Sequence, residues 1–381
     1  MAPPVKVMHL ITSLQVGGAE RMLEKLATAM DPAGITNIVV SLQDPGPIGR
    51  QLQAQGIAVH ALDIRGPFSL PAGLFRLWRL LRRHRPRILQ SWLYHADLVA
   101  LLARRLAPSA RLLWNIRCSD MNLADYGFGT RLVLRLLALA SPLPDLVISN
   151  SESGRRHHDA IGYRARRWEI IPNGFDLDRF QPDPQAAARL AALLGLPAGT
   201  RMIAMVARFD PMKDHATFIA MAERLRTTHP DLHVLLAGRG CDAGNPMLAQ
   251  AAARADGRLH LLGPRDDIAA ILAGIDLLVL SSAYGEGFPN AVGEALACGT
   301  PCLGTNVGDV ATIIGDCGAI VPPRDPAALA AAAARLLDMP AAERDGLRRR
   351  ARQRAAENFA LPVIVARYES LYRAVAATPR G

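Results

Sequence analysis

Short apolar runs alternate with helical periodicity, and they do so twice along the chain. Residues 5–10, 37–41, 58–62, 87–90, 111–116, 146–150 and 168–171 make a first series of strand candidates. Residues 202–208, 233–238, 259–263, 277–281, 301–305 and 319–321 make a second. Between them, apolar residues return every three to four positions over 19–30, 72–84, 97–106 and 131–140, then over 217–227, 247–255, 266–273, 291–297 and 326–337. Runs this uniformly apolar suit strands covered on both faces, which a parallel sheet flanked by helices provides. The alternation predicts an α/β chain of two Rossmann-like, doubly wound domains.

A length of 381 residues agrees with two cores of ordinary size. Residues 172–184 hold Pro, Gly and Asp without periodicity and read as the linker, which sets domains of 1–178 and 179–361. A last periodic segment, 363–375, follows Pro362 and is long enough to return to the first domain, so 362–381 is assigned there. The leucine-rich run 132–146 is cut by Arg135, Pro142 and Pro144, too broken to cross a bilayer. The opening residues read as a strand without the cleavage site of a secretory signal, and the expected location is the cytoplasm. Five cysteines without a Cys-x-x-Cys pair read as free thiols, not a disulfide or zinc framework.

Charge is distributed unevenly. Residues 1–180 carry 23 Lys and Arg against 14 Asp and Glu, whereas 181–381 carry 21 against 20. The first half should therefore face something anionic. Aromatic residues are only 5% of the chain and do not interleave with basic ones on strands, so nucleic acid is not the expected partner.

In open parallel sheets ligands sit beyond the carboxyl ends of the strands, so the residues just after strands carry the information. Gly17 and Gly18, in Val16-Gly17-Gly18-Ala19-Glu20, allow close backbone approach at a helix start; they fit a tight turn or an anion contact. No dinucleotide or Walker pattern follows. Arg208 and Lys213 share one loop and either are solvated or converge on a polyanion. The segment Tyr284-Gly285-Glu286-Gly287-Phe288-Pro289-Asn290 leads into a helix with Pro289 at its first position and Glu294 further along. Two carboxylates beside free backbone N–H groups suit a polyhydroxylated ligand. They also fit glycoside hydrolysis or a structural pair, and the cationic loop favours a phosphate-bearing substrate.

These motifs together resemble glycosyltransferase family 4, the retaining, sugar-nucleotide-dependent enzymes of GT-B fold. The resemblance rests on Gly17-Gly18-Ala19-Glu20, Ile171-Pro172-Asn173-Gly174-Phe175-Asp176, Arg208 with Lys213, and Ala237-Gly238-Arg239-Gly240. Glu286 and Glu294 with seven residues between them, followed by Ala295-Leu296-Ala297-Cys298-Gly299-Thr300-Pro301, complete it. Gln90-Ser91-Trp92-Leu93-Tyr94-His95-Ala96-Asp97 is similar to members from bacterial cell-surface and exopolysaccharide synthesis.

The resemblance implies that Arg208 and Lys213 hold the donor diphosphate in place of a metal. It implies Glu294 on the ribose, and Glu286 with the Gly287, Phe288 and Pro289 backbone on the donor sugar. Gly17 and Gly18 would close over the phosphates, and Gly238 and the Gly263-Pro264-Arg265 stretch would contact the donor, the latter at its base. Neither metal nor cofactor is implied; the partners are a nucleotide sugar and a glycan acceptor, expected to be lipid-linked. One departure concerns Trp114-Asn115-Ile116-Arg117-Cys118-Ser119-Asp120, where Cys118 stands at the position of a histidine in many relatives. A thiol is a poor hydrogen-bonding substitute, so either His95 or Arg117 fills the role, or activity is low, or the donor differs. A sugar-nucleotide epimerase and a silent nucleotide-sugar-binding protein on the same architecture are the rival readings.

Residues 72–84 add a membrane expectation. Leu74, Leu77, Trp78 and Leu81 share one side of a helical wheel, while Arg76, Arg79, Arg82 and Arg83 spread over the other. That face fits either ordinary solvation or reversible attachment to an anionic leaflet at the inner face of the cytoplasmic membrane.

Overall fold

In a computed structural model, which describes residues 3–118 and 127–378, both series of apolar runs close into parallel sheets. The first sheet holds β1 (Val5–Ile11), β2 (Ile35–Ser41), β3 (Ala58–Ala61), β4 (Ile88–Trp92), β5 (Arg111–Ile116), β6 (Leu146–Ser149) and β7 (Trp168–Ile170). Their order is β3-β2-β1-β4-β5-β6-β7. The second holds β8 (Met202–Val206), β9 (His233–Ala237), β10 (Leu259–Gly263), β11 (Leu277–Leu280), β12 (Cys302–Thr305) and β13 (Gly318–Val321), ordered β10-β9-β8-β11-β12-β13. In each sheet the strand order reverses once, between β1 and β4 and between β8 and β11. At such a point the loops leaving neighbouring strands turn to opposite faces and open a crevice.

The chain divides into two units, Met1–Gly174 with Leu361–Gly381, and Phe175–Ala360. The crossings fall before those expected at 178/179 and 361/362. Phe175 already belongs to the second unit: its N–H donates to the Phe359 carbonyl at 2.8 Å, and it bridges Ala360. Phe175 and Phe180, inside the composition-defined linker, are buried in the second core. Two phenylalanines outweigh the Pro and Gly around them.

Helices cover both faces of each sheet. In the first unit α1 (Gly18–Ala29), α2 (Gly46–Ala54) and the final helix pack on one face. On the other face lie α3 (Leu70–His84), α4 (Tyr94–Ala103) and α5 (Phe128–Ala140). A sixth helix, α6 (Glu152–Ala160), follows β6. The strand period of two sorts the core: Leu112, Trp114 and Ile116 of β5 face α3–α5, and Leu113 faces the other way. The second unit adds α7 (Ala186–Leu193), α8 (His215–Leu225), α9 (Pro246–Ala253), α10 (Ile268–Gly274), α11 (Asn290–Ala297), α12 (Val310–Ile314), α13 (Pro326–Leu337) and α14 (Ala341–Phe359).

The final helix, α15 (Leu361–Ala377), joins the first unit through Ile364, Val365, Tyr368, Leu371, Tyr372 and Val375, all buried. Two of its hydroxyls fix its register on the sheet. Tyr372 O–H donates to Gln90 Oε1 at 2.8 Å, and Tyr368 Oη accepts from Asn115 Nδ2 at 3.0 Å. Nearby, buried His9 accepts the Trp92 indole N–H at Nδ1 (3.3 Å) and donates from Nε2 to Asn37 Oδ1 (3.0 Å). That pattern requires the neutral ring, and burial lowers the His9 pKa to about 4.

Candidate functional site

The second unit's crevice lies between the loops after β8 and β11. Lys213 ends a short 3-10 turn, Pro211–Lys213, capped by Asp210, whose Oδ1 accepts from the Met212 N–H at 3.0 Å. The loop after β11 is stitched to this turn. Ser281 O–H lies 2.9 Å from the Lys213 carbonyl oxygen, and the Ala283 N–H donates to the Met212 carbonyl at 2.9 Å. The stitching brings Lys213 Nζ to 2.5 Å from Glu286 Oε1, which also accepts the Ser282 O–H at 2.5 Å. The lysine and glutamate side chains are only 13% and 5% exposed. Of the two readings of this loop, solvation does not hold for Lys213: a buried carboxylate holds it.

Arg208 differs. It is half exposed, and its Nε donates to Asp210 Oδ2 at 2.9 Å, so Asp210 holds the arginine while it caps the turn. The start of α8 is not bare either. Asp214 caps it through the Thr217 N–H at 3.1 Å and the Thr217 hydroxyl at 2.7 Å. Buried His215 follows, and burial and then the Lys213 charge lower its pKa to about 4.

Two glycines make the crevice possible. A β-carbon on Gly238 (φ +148°) would overlap the Ala207 carbonyl oxygen, and one on Gly308 (φ +60°) the Glu286 carbonyl oxygen. Gly238 thus serves strand packing. Gly263 is knitted in likewise, with its N–H on the Cys241 carbonyl (2.9 Å) and its carbonyl on the Gly238 N–H (2.8 Å). Arg265 is forked onto Asp267 at 2.7 and 2.5 Å.

The Phe288 ring packs on Phe175 and Phe359, with centroids 6.0 and 5.4 Å apart. Pro289 precedes α11 as its cap residue, one place earlier than expected. Glu294, half-buried, lies four residues into that helix, about 6 Å along its axis from Asn290. Burial and then the Glu294 carboxylate push the Cys298 thiol up to about 12.

In the first unit Gly17 caps α1 in extended conformation and Gly18 is its first residue. The buried Glu20 carboxylate reaches back against Gly17. Burial raises its pKa, opposed by hydrogen bonds from its own N–H and from Ser13. At the matching position after β4, Leu93 adopts φ +71°, ψ +155°, a region that strains a branched side chain. His95 points to solvent, whereas Tyr94 is buried and its O–H donates to His158 Nε2 at 2.9 Å. Asp97 is fully buried, accepts from Ser91 O–H at 2.6 Å, and burial holds its carboxyl well above the usual carboxylate range.

Burial also raises the Cys118 thiol, with Tyr94, Asp97 and Glu20 all within electrostatic reach. The guanidinium of Arg117 lies 4.9 Å over the Trp92 ring and donates to Asn173 Oδ1 at 2.9 Å, while its Nε and Nη2 are buried without a hydrogen-bond partner among the described residues. Ser119 and Asp120 of this loop lie outside the described residues. Glu20, Tyr94 and Asp97 lie around Cys118 although the sequence reading named them only within motifs and gave them no role there, and Leu93 gives no sequence signal of its strained backbone.

The comparisons with known proteins follow the same division. Residues 16–179 match the family model described as Glycosyltransferase Family 4. Residues 200–339 match the model described as Glycosyl transferases group 1, so the two cover most of the chain. The chain belongs to glycosyltransferase family 4. Among its relatives is the putative glycosyltransferase EpsF of Bacillus subtilis, 26% identical over 78% of each chain. The D-inositol 3-phosphate glycosyltransferase of Salinispora tropica is 34% identical over 51% of this family 4 chain but only 43% of its own length. Crystal structures of similar fold include Anabaena HepE in complex with UDP (TM-score 0.83, 22% identity, 97% and 100% of the two chains). A glycosyltransferase from Rickettsia africae also superposes (TM-score 0.84, 16% identity, 99% and 100%). The fold of this family 4 enzyme is GT-B and its reaction class is glycosyl transfer. Neither rival, the epimerase nor the silent binding protein, draws support from these matches.

Proposed function

We propose that this glycosyltransferase moves a sugar, with retention of configuration, from a nucleoside diphosphate sugar to a lipid-linked glycan acceptor in cell-surface polysaccharide synthesis. The observation that carries the reading is the Lys213–Glu286 pair at the β8–β11 reversal. A cation held there by a buried carboxylate is preorganised, so it meets charge growing on the departing phosphate without reorganising at that moment. Arg208 shares the diphosphate, Glu286 and the Gly287–Phe288 backbone orient the donor sugar, and Glu294 accepts from the ribose. The bond from the anomeric carbon to the β-phosphate oxygen breaks, the acceptor oxygen bonds on the same face, and its proton passes to the departing phosphate oxygen. The cations do the work of a metal, so none is required.

UDP-glucose is the first donor to test, because HepE has been crystallised with UDP, with UDP and glucose, and with UDP-glucose. Among the described residues no helix is long and apolar enough to cross a membrane. A lipid-linked acceptor would be met at the inner face of the cytoplasmic membrane, on an anionic surface. The test is nucleoside diphosphate release from a panel of sugar nucleotides, with and without lipid-linked acceptor, in EDTA. Release that needs the acceptor, survives chelation and yields an α-linked product from an α-linked donor is expected. Release that strictly needs Mg²⁺, or an inverted product, overturns the metal-free or the retaining part.

A further inference from the structure

The helix α5 has two apolar faces, and the fold uses one. Leu134 and Leu137 are buried in the first unit's core. Leu132, Leu136 and Leu139, spaced i, i+4 and i+7, form a stripe that is 45%, 45% and 82% exposed. At the neighbouring end of α4, Leu102 and Leu106 are 48% and 39% exposed, and Leu143 beyond α5 is 45% exposed. The Arg104 guanidinium donates to the Leu143 carbonyl and ties the two patches together. A groove of about 680 Å³ runs between them, lined by Leu101, Leu102, Arg104, Arg105, Pro108 and Leu143. A soluble helix seldom spends a second periodic stripe of leucines on water.

Among the described residues the charge around this stripe is predominantly positive, and Asp145, just beyond Leu143, is held by Arg111 at 2.9 Å. Residues 98–118 and 127–144 contain six arginines, no lysine and neither Asp nor Glu. Arg105, Arg131 and Arg135 are exposed beside the leucines. On α3, Arg76 donates to the Leu62 carbonyl (2.7 Å) and Asp63 (3.1 Å) and Arg82 lies over the Trp78 ring, while Arg79 and Arg83 are exposed. We infer that the α4–α5 face is the membrane-docking surface, its leucines entering the headgroup–acyl boundary of an anionic phospholipid leaflet and its arginines pairing with lipid phosphates. Leucines flanked by arginines are what an interfacial helix presents. A second copy would set like charge against like charge, and a nucleic acid would leave the leucines in water. The inference deepens the proposed reading of a lipid-linked acceptor and rests on it for its purpose.

The test is sedimentation of the full chain with vesicles of phosphatidylcholine containing one-third phosphatidylglycerol, and of phosphatidylcholine alone. The wild type should bind the anionic vesicles and much less the neutral ones. Leu132→Ser/Leu136→Ser/Leu139→Ser should weaken anionic binding at least tenfold, and Arg131→Gln/Arg135→Gln should weaken it and reduce its salt sensitivity. All five side chains are exposed, so thermal unfolding and transfer to a soluble acceptor should be unchanged, and transfer measured this way tests the enzymatic reading separately. Undiminished vesicle binding by the leucine variant overturns the proposal. So does a wild-type dimer in analytical ultracentrifugation that the leucine variant abolishes, or binding of duplex DNA in preference to the anionic vesicles.

Discussion

Lys213 Nζ and Glu286 Oε1 lie 2.5 Å apart although 73 residues separate them in the chain. They meet because β8 and β11 are neighbours and both loops leave the same sheet end. Each side chain is therefore the other's solvent as well as its partner in the proposed chemistry.

Removing one member should cost stability as well as rate. Lys213→Ala leaves the Glu286 carboxylate buried with the Ser282 hydroxyl, and breaking such a pair costs about 3–5 kcal/mol. Turnover should also fall by two orders of magnitude or more. Arg208→Ala, at a half-exposed position, should lose comparable turnover with an unchanged urea midpoint. Equal midpoints for Lys213→Ala and wild type would show that the pair does not bear on folding.

Glu286→Ala and Glu294→Ala should separate by calorimetry. A ribose contact is made equally in ground and transition states, so Glu294→Ala weakens the bare nucleoside diphosphate and the intact sugar nucleotide alike. Glu286→Ala weakens only the sugar nucleotide, and because it frees Lys213 from its counter-ion, the bare diphosphate binds as well or better. Parallel losses in both variants would count against the division of roles.

Acid should destabilise the enzyme through three buried histidines. His9, His158 and His215 have pKa values lowered to about 4, burial being the largest cause in each. Between pH 6.5 and 4 the unfolded chain takes protons that the native one refuses, so stability falls as pH falls, by about 1.4 kcal/mol per pH unit per proton. Asp97 acts in the opposite sense. Its raised pKa keeps a proton in the native state that the unfolded state loses above about 4, so its contribution is lost as pH rises. Urea midpoints across pH 4–8 should show Asp97→Asn gaining on wild type towards high pH, and His9→Gln flattening the acid limb.

Tyr372→Phe should cost about 1–2 kcal/mol, because Gln90 Oε1 loses its donor inside the core. Tyr368→Phe should cost about as much through Asn115. Faster proteolysis at α15 with the second unit's hydrogen-exchange protection unchanged is the expected readout.

Strands were legible because a doubly covered strand must be apolar at nearly every position, and each proposed run forms one within two residues of its ends. The helix α14 was not. Its buried residues are Leu347, Ala351, Ala355 and Phe359, a stripe four apart in which two members are alanines, set among arginines that hide the period. In the site, the residue types after β8 and β11 were readable, but their pairing was not, since contact between distant loops depends on strand order. A nearer signal existed for Arg208 and Arg265. Each has an aspartate two residues on, and each is bound by it.

Because α15 completes the first core from the far end of the chain, the order of synthesis and the order of folding cannot coincide. Residues 175–360 emerge as one continuous stretch and can close as they leave the ribosome. The first 174 residues must wait, with the apolar bed for Tyr368 and Tyr372 open, until residue 377 has been made. A fragment ending near residue 174 should therefore aggregate on expression, and adding 361–378 in trans or by fusion should keep it in solution.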